Sequence, residues 1–197
     1  RQKAHSTVQS ATGERNPFLP YEPAMFVADL SATHVCLLNK FTVVDDHLIV
    51  VTRAFEEQTS LLTPADFEAA LVCLREFDGL GFYNAGAIAG ASQRHKHLQY
   101  VPLPLAHAPD GLPLERPIAE APLGCIAVAP DLWFRHKFVR FEHGIQTGSA
   151  SAFQLWSWYR ALLIAVGVDG GASDRQPAPY NLLFTRRWML IAPRASE

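Results

Sequence analysis

From Leu80 to Val101, two runs of strand-forming residues, 80–84 and 94–101, flank a stretch of small residues at 85–93. This pattern predicts an antiparallel hairpin with a Gly-rich connection. Its return strand carries His95-Lys96-His97-Leu98-Gln99. Side chains on a strand alternate between faces, so His95, His97 and Gln99 project together while Lys96 and Leu98 point the other way. Two imidazoles and an amide then share one surface beside a loop whose backbone is nearly bare.

Other segments repeat the theme. Val35–Val44 and Leu48–Arg53 are rich in β-branched and apolar residues, with turn chemistry at Asp45-Asp46-His47 between them, and predict a first hairpin. Thr63-Pro64 begins a helix whose Phe67, Ala70, Leu71, Leu74 and Phe77 recur at helical spacing down to Asp78-Gly79. Prolines recur from Pro102 to Pro122, which predicts an irregular covering segment. Phe134–Phe141 reads as a strand. Ser151 caps a second helix with Ala152, Leu155, Trp156, Tyr159, Leu162, Leu163 and Val166 on one face, stopped by Gly167. Asn181–Thr185 and Trp188–Pro193 form a last hairpin across Arg186-Arg187. Antiparallel hairpins alternating with two helices predict an α+β fold.

Composition narrows the function. With 197 residues, 49% of them hydrophobic, the chain can bury one core, and one domain is expected over 16–197. Residues 1–15 are polar and aperiodic and read as a disordered or incomplete start. Seventeen Lys plus Arg against nineteen Asp plus Glu, with no run of like charge, argue against nucleic acid or another polyanion held by bulk electrostatics. An anion must be gripped locally. Cys36, Cys73 and Cys125 lie far apart with no C-x-x-C pair, which suits reduced thiols in a cytoplasmic protein. The longest nearly apolar stretches fall short of the roughly 18 residues of a membrane span.

The 84–99 segment carries the chemistry. Gly86, Gly90, Ala91 and Ser92 leave backbone N–H groups and one hydroxyl open to phosphate oxygens. A neutral imidazole beside such a cradle can attack phosphorus and split one displacement into two. No Gly-Lys-Ser/Thr follows the loop, and a strand rather than a helix comes after it, so neither a P-loop nor a dinucleotide-binding fingerprint is present. Two histidines at i and i+2 also suit metal ligands in a β scaffold, with a third from His34, His47, His107, Asp45 or Asp46. A small-residue turn with structural histidines is the plainer alternative.

Asn-Pro-Phe-Leu-Pro-Tyr at 16–21, Leu-Leu-Asn-Lys-Phe at 37–41, His47-Leu48-Ile49-Val50-Val51, Gly-Ala-Ser-Gln at 90–93 followed by His-Lys-His-Leu-Gln, and Tyr-Asn-Leu-Leu-Phe-Thr-Arg-Arg-Trp-Met-Leu at 180–190 together resemble the histidine-triad superfamily. The similarity is greatest to its ATP adenylyltransferase, or diadenosine tetraphosphate phosphorylase, branch. Thr42, where many members carry proline, and Arg94 depart from the pattern. The resemblance implies an antiparallel sheet flanked by helices, and it implies that 16–197 lacks part of the family's C-terminal region.

It also implies roles. His97 matches the nucleophile that takes the nucleotidyl group, His95 the residue whose backbone carbonyl orients that ring, and Gln99 the position where hydrolase branches carry a third histidine. Asn84, Ser92 and Gln93 match contacts to the α-phosphate region, and Lys40 falls near the polyphosphate. The expected reaction is cleavage of diadenosine tetraphosphate by phosphate to ATP and ADP. A sugar-1-phosphate nucleotidyltransferase is the alternative enzyme; a metal-dependent hydrolase using His95 and His97 as ligands, and a non-catalytic nucleotide-binding module, are the alternatives from other classes. No obligatory cofactor and no resident metal are implied beyond Mg²⁺ travelling with the nucleotide. Glutamine cannot donate a proton as an acid, so the leaving group must depart unaided, which a phosphate with a second pKa of about 6 can do.

Overall fold

The computed structural model describes residues 16–41, 44–105, 111–142, 151–168, 171, 174 and 178–194. The expected polar start at 1–15 lies outside them.

The first hairpin forms from β2 (His34–Leu38) and β3 (Leu48–Thr52), preceded by an edge strand, β1 (Phe26–Asp29). β2 is shorter than predicted because Asn39 ends it: its Oδ1 accepts the Phe41 N–H at 3.0 Å, turning the chain. Lys40 therefore sits in a turn and not within a strand. α1 (Pro64–Glu76) starts at Thr63, whose backbone N–H and hydroxyl both donate to Asp66 Oδ2, at 2.7 and 2.8 Å. β4 (Gly79–Asn84) and β5 (His97–Pro102) then pair as the second hairpin. β5 starts later than position 94 because His95 already leaves the β4 ladder and bridges Glu57 instead.

The proline-rich stretch contains a short helix, α2 (Glu115–Ala119), which its composition does not announce, followed by β6 (Ile126–Ala127). The strand expected over 134–141 narrows to β7 (Lys137–Arg140). α3 (Ala152–Val166) is capped by Ser151, whose Oγ accepts the Gln154 N–H at 3.1 Å, and is closed by Gly167 at φ 72°. β8 (Tyr180–Phe184) and β9 (Trp188–Pro193) make the last hairpin.

The nine strands of the described residues join one antiparallel sheet in the order β1-β2-β3-β5-β4-β8-β9-β7-β6. The order is nearly palindromic: on each side of the central β4–β8 pair, hairpin, helix and hairpin follow in the same sequence. α1 and α3 pack against each other and against one face of the sheet, burying Phe67, Leu74, Tyr83, Leu98, Tyr159 and Leu163. No helix among the described residues is long and apolar enough to cross a membrane.

Among the described residues, the opposite face is covered at its two ends. Phe18 and Tyr21 lie over Val35, Leu37, Ile49 and Val51 at one end. Leu112 and Ile118 lie over Phe138, Trp188 and Leu190 at the other. His97 and Gln99 face Val51 and Ile49 across the ladder, and so share with them this face, opposite α1 and α3.

Candidate active site

His97 is held through its backbone and its ring at once. Its N–H donates to Gln58 Oε1 at 2.8 Å, and its carbonyl accepts from Gln58 Nε2 at 3.1 Å. The same Nε2 donates to the Asn84 carbonyl at 2.9 Å, so one glutamine joins the histidine strand to the end of β4. The ring's Nδ1 lies 2.7 Å from the His95 carbonyl oxygen. A carbonyl can only accept, so the proton is on Nδ1 and the lone pair is on Nε2. Burial pushes the His97 pKa down to about 4, outweighing the His95 carbonyl that raises it, while His95 and His47 lower it further. The imidazole is neutral at pH 7 and its Nε2 takes no hydrogen bond from a described residue.

His95 has no free nitrogen. Its Nε2 meets Thr52 Oγ1 at 2.9 Å and the Ala54 carbonyl at 3.1 Å. Because the carbonyl must accept, Nε2 carries the proton. Its Nδ1 accepts from Asn16 Nδ2 at 3.1 Å, and that amide is oriented by the Phe18 N–H, which donates to Asn16 Oδ1 at 3.0 Å. The alternative in which His95 and His97 ligate a metal together gains no support from this geometry, since the one His95 lone pair, on Nδ1, is taken by Asn16; of the third ligands named for it, His107 lies outside the described residues. Among the described residues no cluster of three or more His, Cys, Asp or Glu side chains is placed to complete such a site.

The loop after β4 is shaped by glycine at two positions, Gly86 at φ 90° and Gly90 at φ 93°, where other residues would be strained. Asn181 Nδ2 fastens it by donating to the Ala89 carbonyl at 2.7 Å and to Asn84 Oδ1 at 2.8 Å. The expectation that Gly90 and Ala91 offer free N–H groups is corrected. Gly90 N–H donates to the Ala87 carbonyl at 2.9 Å and Ala91 N–H to the Gly86 carbonyl at 3.1 Å, because residues 87–89 close into a 3₁₀ turn. These two residues shape the loop. Ser92 and Gln93 carry no hydrogen bond to another described residue and are its available donors.

Gln99 pairs with Ile49 on one side and Phe82 on the other. The structure thus brings His95, His97, Gln99, Asn84 and the 86–93 loop together. Lys40 stands apart on the β2–β3 turn, its Nζ 2.6 Å from Glu22 Oε1. Both side chains are about half exposed, so the pair is worth roughly 0–1 kcal/mol and leaves the ammonium readily exchangeable.

Next to β5, the strand that carries His97, a cleft of about 550 Å³ is lined by Phe82, Asn84, Trp133, Phe134, Asn181 and Arg194, among others. Trp133 is 95% exposed at this cleft, whereas Trp188 is fully buried. Residues that the sequence reading missed do much of the positioning. Asn16 and Asn181 lie within segments noted for their family similarity, but Gln58 and Thr52 carry no local signal.

Residues 1–120 match the Ap4A phosphorylase N-terminal domain, and residues 130–197 match the ATP adenylyltransferase C-terminal domain. The Saccharomyces cerevisiae protein named diadenosine 5',5'''-P1,P4-tetraphosphate phosphorylase 2 is 36% identical over 116 residues, covering 52% of this chain and 36% of its own length. The crystal structure of yeast Ap4A phosphorylase Apa2 in complex with AMP superposes with a TM-score of 0.77 at 26% identity, over 93% of this chain and 65% of that one. The same yeast protein in complex with Ap4A gives 0.71 at 23% identity, over 91% and 64%, a likeness of fold. The chain thus spans about two thirds of the solved relative and just over a third of the curated one. With the first of these matches extending over more than half of its length, the chain belongs to the Ap4A phosphorylase family.

Proposed function

We propose that this chain phosphorolyses diadenosine tetraphosphate to ATP and ADP through a nucleotidyl-His97 intermediate. One observation carries the reading: a buried, neutral histidine whose tautomer presents an unshared lone pair on Nε2. His97 Nε2 attacks the phosphorus next to one adenosine, and the bond to the bridging oxygen breaks with ATP leaving. Inorganic phosphate then attacks the adenylyl phosphorus, the P–N bond breaks, and ADP departs with His97 neutral again. The family matches support this, as do the yeast relative's complexes with AMP and Ap4A. Three free cysteines, two of them buried, fit the cytoplasm as its location. Phosphate-dependent appearance of ATP and ADP in equal amounts from diadenosine tetraphosphate tests the proposal; no product at any phosphate concentration overturns it.

Two predictions belong to this reading. Glutamine at 99 can share hydrogen bonds but cannot act as a base for water, so the adenylyl enzyme waits for phosphate. Gln99→His is expected to raise the AMP-to-ADP product ratio several-fold at fixed phosphate, read by chromatography of the products. An unchanged ratio in an active variant removes Gln99 from acceptor choice. Asn84→Ala and Ser92→Ala are expected to lower turnover roughly tenfold or more, while each melts within about 1 kcal/mol of the parent. Parallel losses of activity and stability would reduce both residues to loop fasteners.

A further inference from the structure

Two buried side-chain atoms among the described residues have no hydrogen-bond partner, and one of them is His47 Nε2. His47 is 7% exposed. It precedes β3 by one residue and continues that strand's face with Ile49 and Val51, the partners of Gln99 and His97. Its ring centroid lies 5.9 Å from that of Phe82, which lines the cleft.

The proton on His47 can be located. Asn39 Oδ1 accepts the Phe41 N–H at 3.0 Å, which turns Asn39 Nδ2 toward His47 Nδ1 at 3.1 Å. An amide N–H donates, so Nδ1 is the acceptor, and the neutral ring carries its proton on Nε2. Burial favours the neutral form; the Gln99 carboxamide lies near enough to offset part of that effect, but no acceptor meets Nε2–H in hydrogen-bonding geometry. A donor left bare in this way is costly unless a ligand satisfies it. His97 offers a lone pair to an electrophile, and His47, on the same face beyond Gln99, offers a proton to an oxygen.

We infer that His47 contacts the substrate, donating its Nε2–H to an anionic phosphate oxygen, either on the nucleotide's polyphosphate or on the attacking phosphate. The inference rests on the proposed reading that nucleotide lies across the His97 face. The test compares the parent chain with His47→Leu, which keeps bulk and loses the donor, and His47→Gln, which keeps an N–H donor. AMP and inorganic phosphate are each titrated by calorimetry, and KM is measured for diadenosine tetraphosphate and for phosphate.

His47→Leu is expected to weaken one of these by about 10- to 100-fold, with His47→Gln recovering at least half of the loss on a logarithmic scale. A rise confined to phosphate assigns the contact to the attacking group; a rise in AMP dissociation and in KM for the dinucleotide assigns it to the nucleotide chain. Parent-like values throughout in a folded His47→Leu chain overturn the inference. So does a long-range ¹H–¹⁵N spectrum of the free protein that places the His47 proton on Nδ1. A parent chain that binds both ligands yet releases no product refutes the phosphorolysis reading and still leaves the binding comparison to decide His47.

Discussion

His97→Asn is expected to abolish phosphorolysis, with turnover falling at least about 10³-fold, because removing a nucleophile forfeits the two-step route entirely. Asparagine can still donate to the His95 carbonyl, so the strand keeps its geometry and the loss isolates the missing lone pair. Intact mass spectrometry provides the second readout. With diadenosine tetraphosphate and no phosphate, the parent should gain one adenylyl group and His97→Asn none. An equal adduct in both, or none in an active parent, rules out the covalent route.

The same variant tests the burial of His97 through pH. The folded pKa of about 4 lies below the ordinary histidine value near 6.5. As pH falls from about 6.5 toward 4, the unfolded chain takes up a proton that the native ring refuses, so the native state loses stability across that window and is unaffected above it. His97→Asn should flatten this part of the stability curve. The attacking lone pair likewise survives from neutral pH down to about 5 and is lost below, which sets the direction of the acid limb of turnover.

How much of this was readable beforehand depended on whether the information was local. Thr63-Pro64, Ser151 and Gly167 mark helix ends because capping is a property of a few adjacent residues, and α1 and α3 lie where those signals put them. Strand alternation likewise placed His97 and Gln99 on one face. β1, two-residue β6 and five-residue α2 are too short to show a period against their neighbours. Gln58 is the sharpest case: it binds His97 at both backbone groups and Asn84 at a third point. Nothing distinguishes it in sequence from a solvated loop glutamine, because its partners are 26 and 39 residues away. The spent N–H groups of Gly90 and Ala91 were hidden for a related reason. Small residues announce an open backbone, but whether the loop consumes its own donors depends on how it closes.

Lys96→Met is expected to destabilise the fold by about 3–5 kcal/mol at pH 7. Alternation sends this side chain to the helix face, opposite His97. There it is buried, its Nζ 2.7 Å from Asp66 Oδ2 and 3.1 Å from Glu56 Oε2. Asp66 is equally buried and also meets His34 Nε2 at 3.1 Å. Burial alone pushes the Asp66 carboxyl up; the His34 hydrogen bond, the Lys96 charge and hydrogen bond, and the Thr63 N–H outweigh it and hold the pKa below the ordinary range. Methionine fills similar volume without charge and leaves a buried carboxylate short of its cation. Burial then prevails, so the Asp66 pKa should rise above its unfolded value, and the sign of its pH dependence should reverse. In the parent, the stability contributed by the depressed carboxyl is present above the unfolded value near 3.8 and lost as pH falls below it. In Lys96→Met, protonation favours the fold, so acidification from 7 to 5 should narrow the gap between the two melting curves. Lys96→Met combined with Asp66→Asn should recover part of the loss at pH 7. A gap constant with pH, or a double variant no more stable than the single one, would show that the lysine acts through packing of its stem and not through its charge.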